Sequence, residues 1–306
     1  MILIIAEKDD IPSLRLIHLL TKNNIKYYFL CIDEEDPLIH INIETNDIFI
    51  NDVDYREYKA IWFRRFNFQS YLFLCNEICT EVAEYLSYEK KRLFEFVLQN
   101  LYEKCPIKIG NPKYENINKL LVLQKAKSYN LKVPPTIVSN FKSNICFKDY
   151  ISKPIGEVFF RRIGNTVFQT FTEKVDPLDL SNSFFYSLFQ QNLQKKLECK
   201  SIYFNGMFYT IGFKSLVDNI IDYRNYNHNK EMKIFPMELP NDIKSRLIQL
   251  FHSFNLNFGV VDMVIDNNND YILLEINPEG QFDDIVEYGN FPIYEKIYNY
   301  LIQQNG

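Results

Sequence analysis

Residues 258–281 read FGVVDMVIDNNNDYILLEINPEGQ, and this segment decides the fold. Two apolar runs flank a short polar stretch, which is the pattern of an antiparallel β-hairpin. Pairing Asp266 with Tyr271 sets the register, because the numbers of opposed residues in an antiparallel pair sum to a constant. In that register Val264 faces Leu273.

The same register places three oxygen-bearing side chains on one face of the hairpin. Asp262 falls directly opposite Glu275, and Asn277 shares the face of Glu275 because side chains alternate along a strand. Two opposed acids in apolar surroundings repel each other, so a positive group is expected between them. Oxygen ligands without His or Cys favour Mg²⁺, which takes one or two carboxylates and completes its shell with phosphate and water. The alternative is that both acids are solvated on a half-exposed sheet. The valines and leucines around them argue against this alternative.

The composition is that of a globular protein. The chain has 306 residues, 47% hydrophobic and 24% charged, which suits two or three structural units. A net charge of −5 argues against broad nucleic-acid binding. The short apolar start is ended by charge, so we expect neither a signal peptide nor a membrane span. The cysteines form no CxxC pair and the histidines share no metal-ligand spacing, so we expect free thiols in a reducing cytoplasm and no zinc site.

The first third of the chain alternates strands with helices. Apolar runs predict strands at Ile2–Ala6 and Ala60–Phe63. Ser13 is a candidate cap for a helix that runs to about Leu20, and an amphipathic pattern predicts a long helix from about Cys79 to Tyr102. This alternation implies a largely parallel sheet. No GxGxxG follows the first strand, so dinucleotide binding has no support there.

The rest of the chain is richer in β-structure. We expect a boundary near residues 110–112 and then a helix over Glu115–Tyr129. Further along, Lys196–Tyr203 and Met207–Phe213 are strand-like runs joined by Asn205-Gly206, and an Asn-Gly pair is a strong hairpin signal.

Several of these segments resemble the ATP-grasp superfamily. Asp262 followed by Glu275-Ile276-Asn277-Pro278 resembles the metal-binding hairpin of that superfamily. Three further segments resemble the entry to the fold, its second lysine strand and its adenine hinge: Asn118-Lys119-Leu120 with Val133-Pro134-Pro135-Thr136, Ile151-Ser152-Lys153-Pro154, and Phe189-Gln190-Gln191-Asn192-Leu193.

More narrowly, the chain is similar to the ATP-grasp peptide maturases that cross-link ribosomal precursor peptides, the graspetide synthetases, in particular the microviridin-type and grasp-with-spasm branch. The segments that carry this similarity are Trp62–Arg65, Asp222–Tyr226, Pro236–Pro240, Leu256–Gly259 and Leu274–Phe282. The resemblance implies an α/β (α+β) chain with a Rossmann-like pre-ATP-grasp domain at residues 1–114 and an ATP-grasp domain at residues 115–306. Within the latter it implies a β-rich sublobe over about 133–189 and a metal-binding lobe over about 190–306.

The resemblance also implies nucleotide-binding residues. Lys119 and Lys153 match the lysines that contact the nucleotide phosphates, which fits the roughly four negative charges of ATP. Lys119 as a solvated helix lysine is the alternative. The hinge residues expected to hold adenine, mainly through backbone groups, are Gln190, Gln191, Asn192 and Leu193.

Further polar residues match positions near the reacting groups. Glu198 and Lys200 match a Glu-x-Arg pattern, in which Lys200 keeps the charge but loses the bidentate fork. A cross-strand salt bridge is the alternative for this pair. Arg224 is implied as a phosphate or acyl-phosphate contact, and Asp222 as a residue that orients Arg224 or binds the peptide, with a plain surface loop as the alternative.

Arg64 and Arg65 are candidates to receive acidic side chains of a peptide, because loops at sheet edges commonly bind ligands. An ordinary ion pair with the protein's own acids is the alternative.

The implied cofactors are ATP and Mg²⁺, bound with the help of Asp262, Glu275 and Asn277. The implied partners are a ribosomal precursor peptide, with leader and core, and a second copy of the chain. Nucleic acid and membrane are not expected as partners. The rival functions are a carboxylate–amine ligase acting on amino acids or a protein C-terminus, as in ribosomal-protein glutamate ligases, and a non-catalytic peptide- or nucleotide-binding module.

Overall fold

The computed structural model describes residues 1–31, 36–65, 80–114, 117–145, 149–156, 160–163, 166–169, 172–176, 179–215 and 232–303. These residues form two compact units. The first unit comprises residues 1–116, 254–259 and 278–306, and the second comprises residues 117–253 and 260–277. None of the helices in the described part of the chain is long and apolar enough to cross a membrane.

The first unit contains most of the helices. Its elements begin with β1 (Ile2–Ala6), α1 (Ile11–Lys22), β2 (Tyr27–Cys31), β3 (Ile39–Asn42), β4 (Asp47–Ile50), β5 (Val53–Asp54), β6 (Ala60–Phe63), α2 (Thr80–Lys104) and β7 (Ile107–Ile109). Short 3₁₀ turns occur at Tyr55–Glu57 and Pro112–Tyr114.

The second unit contains the β-rich part of the chain. Its elements are α3 (Lys119–Ser128), β8 (Thr136–Phe141), a 3₁₀ turn (Lys142–Asn144), β9 (Tyr150–Lys153), β10 (Phe160–Ile163), β11 (Thr166–Gln169), β12 (Glu173–Lys174), β13 (Ser183–Gln191), β14 (Lys195–Phe204), β15 (Met207–Ser215), β16 (Met232–Met237), α4 (Asn241–His252), β17 (Phe258–Asp266) and β18 (Tyr271–Asn277). The chain then returns to the first unit with α5 (Asp283–Gly289) and α6 (Ile293–Ile302).

A parallel sheet forms the core of the first unit. Its strand order is β2-β1-β6-β7, and every pair is parallel, which confirms the parallel sheet predicted for this region. The strands β1 and β6 are buried along their whole length, as expected for central parallel strands covered on both faces. The strands β3, β4 and β5 form a separate antiparallel sheet.

The N-terminal cap of α1 is Asp10, so the prediction of Ser13 as its cap was wrong. The Asp10 side chain accepts a hydrogen bond from the Ser13 amide at 3.1 Å and from the Ser13 hydroxyl at 2.6 Å. Because Pro12 stands in the first turn, where its fixed φ suits a helix start, α1 begins earlier than the apolar periodicity suggested.

Two larger sheets organise the second unit. The four-stranded sheet has the order β12-β9-β13-β8 and the five-stranded sheet the order β16-β15-β14-β17-β18. The predicted hairpin at Asn205-Gly206 is confirmed: β14 pairs with β15, and the two turn residues have φ values of 46° and 85°. Both values lie in the left-handed region that an Asn-Gly turn requires.

The units differ from the predicted division after residue 114. Residues 278–306 belong to the first unit, where α6 contacts α1, β6 and β7, although we assigned them to the metal-binding lobe. Sequence order alone cannot show that the chain returns in this way. The division at residues 114 and 115 stays a prediction about which part of the chain folds as an independent domain.

The described cysteines are free, as the sequence predicted. Cys105 and Cys199 are buried and Cys31 is half-buried, while Cys75, Cys79 and Cys146 lie outside the described residues. Burial raises the pKa of the Cys105 thiol to about 11 and that of Cys199 to about 12.

We expect Cys105 and Cys199 to resist alkylation in the native protein. The thiolate is the reactive form, and with these pKa values almost none is present at pH 8. Peptide mapping after iodoacetamide treatment should show both residues labelled only when the protein is first unfolded in guanidinium. Rapid labelling of Cys199 in the folded protein would contradict the raised pKa.

Candidate active site

The hairpin of β17 and β18 brings the predicted acid pair together. Asp262 lies directly opposite Glu275, and Asn277, opposite Val260, follows on the same strand as Glu275. Asp262 and Glu275 are half-buried, whereas Asn277 is exposed at the end of its strand. The predicted arrangement of the acid pair is confirmed.

The register nearer the turn differs from the prediction. Val264 faces Ile272, and Leu273 faces Met263, because the register shifts between Asp262 and Met263 and leaves Leu274 as the extra residue of a β-bulge. The turn itself gives the physical reason. The side chain of Asp266 accepts hydrogen bonds from the amides of Asn268 and Asp270, each at 2.9 Å, and the Asp266 amide donates to the Asp270 carbonyl. The loop therefore closes one residue earlier than we predicted.

A lysine supplies the positive charge beside this pair. The Nζ atom of Lys119 lies 3.5 Å from Oε2 of Glu275, with 24% and 30% of the two side chains exposed. Lys119 is the first residue of α3, and the side chain of Asn118 caps this helix by accepting from the amides of Leu120 and Leu121. The helix start thus positions Lys119 beside Glu275 of the acid pair, and its contact with the nucleotide phosphates stays a prediction.

The donor set suits a hard cation held partly by phosphate. In the part of the chain that the structure describes, no three His, Cys, Asp or Glu side chains group as metal ligands. A cation at the hairpin would have the carboxylates of Asp262 and Glu275 as ligands, and the amide oxygen of Asn277 stays a predicted third ligand. Mg²⁺ accepts such a set because it commonly binds one or two carboxylates together with substrate phosphates and water.

The four-stranded sheet places two predicted nucleotide residues on one face. Lys153 on β9 is opposite Leu188 on β13, and Gln190 on β13 is opposite Ile151. Directly opposed residues share a face, and so do residues two apart. The side chains of Lys153 and Gln190 therefore lie on the same face of adjacent strands.

The hinge segment is tied into the sheet by its own backbone. The amide of Gln191 donates to the Pro135 carbonyl at 3.0 Å, and that of Asn192 donates to the Asp149 carbonyl at 3.1 Å. The buried side chain of Gln190 donates to the Thr136 hydroxyl at 2.9 Å. Because these groups are engaged, adenine would need other backbone groups between Gln190 and Leu193.

Sequence reasoning missed Asp149, which anchors this hinge. Its carboxylate accepts from the side-chain amide of Asn192 at 3.0 Å and pairs with Lys174 at 3.0 Å. The bond from Lys174, followed by that from Asn192, holds the pKa of Asp149 below its usual range. The available signal was an acid one residue before an apolar strand, which is too common to single out.

Glu198 and Lys200 lie on β14, the strand next to β17. The partner of Glu198 is Lys195, whose Nζ atom is 2.9 Å from the Glu198 carboxylate, and both side chains are about three-quarters buried. The alternative of a cross-strand salt bridge does not describe Glu198, because Lys195 lies three residues before it on the same strand. The role of Lys200 near the phosphates stays a prediction.

Arg64 is buried and structural, so its assignment to peptide binding needs correction. Its side chain is 1% exposed, pairs with Asp10 at 3.2 Å and donates to the Gly280 carbonyl at 3.0 Å. Arg65 is different, since 41% of its side chain is exposed and its contact with Glu7 is long, at 3.8 Å. Arg65 stays a predicted peptide contact.

Two of the predicted site residues, Asp222 and Arg224, lie outside the described residues. Their roles stay predictions.

Comparison with known proteins establishes the fold. No family profile and no curated protein sequence matches the chain. Among solved structures it is similar to the macrocyclase MdnC of Microcystis aeruginosa, bound with precursor peptide MdnA, with 24% identity, a TM-score of 0.82 and 99% of each chain covered. It is also similar to a RiPP-associated ATP-grasp ligase of Chryseobacterium gregarium in complex with ADP and a leader and core peptide. The identity is 20% and the TM-score 0.77, and the match covers 99% of this chain and 96% of that one. A third similar structure is that of the ATP-grasp ligase PsnB complexed with a minimal precursor. It has 18% identity and a TM-score of 0.78, and the match covers 100% of this chain and 98% of that one.

These likenesses extend over the whole chain, so this protein has the ATP-grasp fold. The predicted fold class is thereby confirmed.

We expect Lys153→Ala to weaken nucleotide binding by about 10- to 100-fold, the range for losing one hydrogen bond to a charged group. Calorimetric titration with a non-hydrolysable ATP analogue measures this change. Lys127→Ala, on the exposed side of α3, is the control and should bind as the wild type does. Equal affinities for wild type and Lys153→Ala would remove Lys153 from the site.

Proposed function

We propose that this chain is an ATP-dependent peptide ligase. It phosphorylates Asp or Glu side chains of a ribosomal precursor peptide and couples them to Ser or Thr hydroxyls, giving ω-esters, or to Lys amines, giving ω-amides. The observation that carries the proposal is the opposed pair of Asp262 and Glu275 with Lys119 beside it, on the ATP-grasp fold. The similar structures solved with precursor peptides support the choice of substrate.

The reaction has two steps that balance without a covalent protein nucleophile. A carboxylate oxygen of the peptide attacks the γ-phosphorus of ATP, and ADP leaves. The hydroxyl or amine then attacks the acyl carbon, its proton is lost and inorganic phosphate leaves. The net result in the peptide is the loss of one water for each link.

The chain's own residues supply charge and position for these steps. Lys119 and Lys153 offset phosphate charge, and the segment from Gln190 to Leu193 holds adenine. Mg²⁺, held by Asp262, Glu275 and Asn277, supplies further charge neutralisation when bound.

Four further residues complete the proposed site. Lys200 and Glu198 border the phosphates, Arg224 contacts the acyl phosphate, and Asp222 orients Arg224 or binds the peptide.

Incubation with ATP, Mg²⁺ and synthetic peptides that carry Asp or Glu together with Ser, Thr and Lys tests the proposal. We expect ADP release and a peptide whose mass falls by that of one water for each link. Addition of an amino-acid mass to an acceptor would instead identify a carboxylate–amine ligase. Nucleotide binding without ADP release under all these conditions would identify a non-catalytic module and overturn the proposal.

We also propose that the protein is a homodimer in the cytoplasm. An apolar stripe on α2 supports the dimer: Val82, Leu86, Leu93 and Phe96 are each 40–45% exposed and follow a helical repeat of three, four and seven residues. A two-fold dimer would bury the same stripe on both copies. The reduced thiols of the described cysteines agree with the cytoplasm.

Leu86→Glu combined with Leu93→Glu is expected to convert the dimer to a monomer, because the two charges would enter the buried stripe. Sedimentation velocity measures the change in mass. Leu14→Glu is the matched control, since Leu14 on α1 is 44% exposed, close to the 42% and 40% of the two test residues. Dissociation by Leu14→Glu alone would move the interface to α1.

A further inference from the structure

The outer edge of β8 presents unpaired backbone groups. This strand is the last of its sheet in the described part of the chain, and its one strand neighbour there is β13. The Gln191 amide donates to the Pro135 carbonyl, so 191 and 135 form a hydrogen-bonded pair. Bonded pairs alternate in an antiparallel ladder, so Val138, opposite Leu188, is in a non-bonded pair. The same holds for Thr136, and the backbone N–H and C=O groups of both point away from β13.

Exposed aromatic and aliphatic side chains lie on β8 itself and on its neighbour β13. The register between β13 and β8 shifts between Ser183 and Ser187, so three residues of β13 oppose Asn140 alone. Such a bulge re-aims side chains. The residues that we call the edge patch are Val138 (40% exposed), Phe141 (51%), Phe185 (83%) and Tyr186 (61%).

Within the described residues, β8 lacks two of the usual protections against strand pairing, charged residues and proline, although the bulge opposite Asn140 is a third kind. Natural edge strands are blunted by charged residues or proline, yet β8 reads TIVSNF and contains neither. Its far end is closed differently: the Ser139 hydroxyl bonds both the amide and the carbonyl of Phe141. The accessible backbone is thus limited to Thr136 and Val138 in the first part of β8, whereas Phe185 and Tyr186 lie one strand inward, opposite Asn140.

We propose that the outer edge of β8 with the edge patch docks an extended segment of the peptide substrate by strand addition, a proposal that rests on the function proposed above. The segment pairs with the backbone of Thr136 and Val138, lays apolar side chains against Val138, and reaches across β8 to the exposed rings of Phe185 and Tyr186. Main-chain hydrogen bonds supply affinity in this binding mode, and side-chain contacts supply selectivity.

The position in the sheet favours the substrate over a second copy of the chain. Lys153 lies on β9 of the same sheet, two strands from β8. With strands about 4.8 Å apart, an added strand lies about 14 Å from β9, a distance that four or five extended residues span. A peptide held at β8 thus anchors one segment outside the site while another reaches the nucleotide face.

A binding assay without ATP tests this docking mode. The probe is a fluorescein-labelled decapeptide of alternating Thr and Val with a Lys at each end, and its twin carries N-methyl groups on the four central residues. We expect fluorescence anisotropy to show binding of the probe to the wild type and at least about tenfold weaker binding of the twin, which lacks the backbone donors.

Val138→Pro probes the same edge from the protein side. It removes an N–H that points away from β13, a position where strands tolerate proline, and it should weaken the probe about tenfold. Val138→Thr keeps the N–H, so it should weaken the probe clearly less than Val138→Pro does. Phe185→Ser combined with Tyr186→Ser should weaken the probe without touching the backbone.

Equal binding of the probe and its twin, or no binding of the probe, overturns the proposal, whatever the stability of Val138→Pro. A wild-type dimer that Val138→Pro converts to a monomer would assign the edge to a second copy and also overturn it. These outcomes leave the ligase proposal standing. Failure to release ADP would instead remove the ligase and with it the claim that the docked peptide is a substrate, even if the probe still binds at β8.

Discussion

Asp262→Ala is expected to reduce ATP-dependent turnover at least about a hundredfold, the range for removing one group that stabilises developing charge. The variant takes away one of the two opposed carboxylates at the hairpin. Its fold should persist, because the substitution also removes like-charge repulsion between Asp262 and Glu275. ADP release measured by a coupled assay, with thermal unfolding alongside, checks both parts. Glu275→Ala should lose turnover equally.

Asp270→Ala is the matched control for this result. Asp270 is an acid of the same hairpin at its turn end, where it pairs with Lys132, and it lies far along the strand from the proposed site. Turnover should stay near the wild-type rate in this variant. A wild-type rate in Asp262→Ala, or an equal loss in Asp270→Ala, would contradict the assignment.

Arg64→Ala is expected to lower the free energy of unfolding by about 3–5 kcal/mol, because it leaves a buried charge without its partner. The side chains of Arg64 and Asp10 are 1% and 0% exposed, respectively. The guanidinium also donates to the Gly280 carbonyl and lies over the ring of Phe282 at 5.2 Å. Urea denaturation measures the loss.

Arg65→Ala is the neighbouring control, and its effect should stay below about 1 kcal/mol, as for exposed ion pairs. Comparing the two variants also tests whether Arg64 stabilises the fold rather than binding the peptide. If Arg64→Ala kept full stability while losing peptide binding, Arg64 would belong to the peptide site after all.

The sequence placed Asp262 opposite Glu275 by counting from a pair of Asp266 with Tyr271 that the structure does not form. The loop closes one residue early and the bulge at Leu274 restores the difference, so the predicted pairing still holds at Asp262. Neither deviation could be predicted, because the early closure depends on backbone amides that donate to the Asp266 side chain. The hydrogen bonds within the loop thus shifted the pairing near the turn away from the register that was counted from the sequence.

Arg64 shows why the burial of a charged side chain could not be predicted from the sequence. Its partners, Asp10 and Gly280, are 54 and 216 residues away in the chain, so no local pattern marks Arg64 as paired. The free edge of β8 was hidden for the same reason. Whether a strand lies at the edge of a sheet depends on pairings that only the folded chain reveals.

Manganese binding tests the central claim most directly. Mn²⁺ replaces Mg²⁺ at oxygen-ligand sites and can be counted by electron paramagnetic resonance in the presence of ADP. We predict one bound Mn²⁺ per chain in the wild type and in Asp270→Ala, and none in Asp262→Ala at the same concentration. Equal Mn²⁺ binding by the wild type and Asp262→Ala would show that the hairpin does not hold the cation.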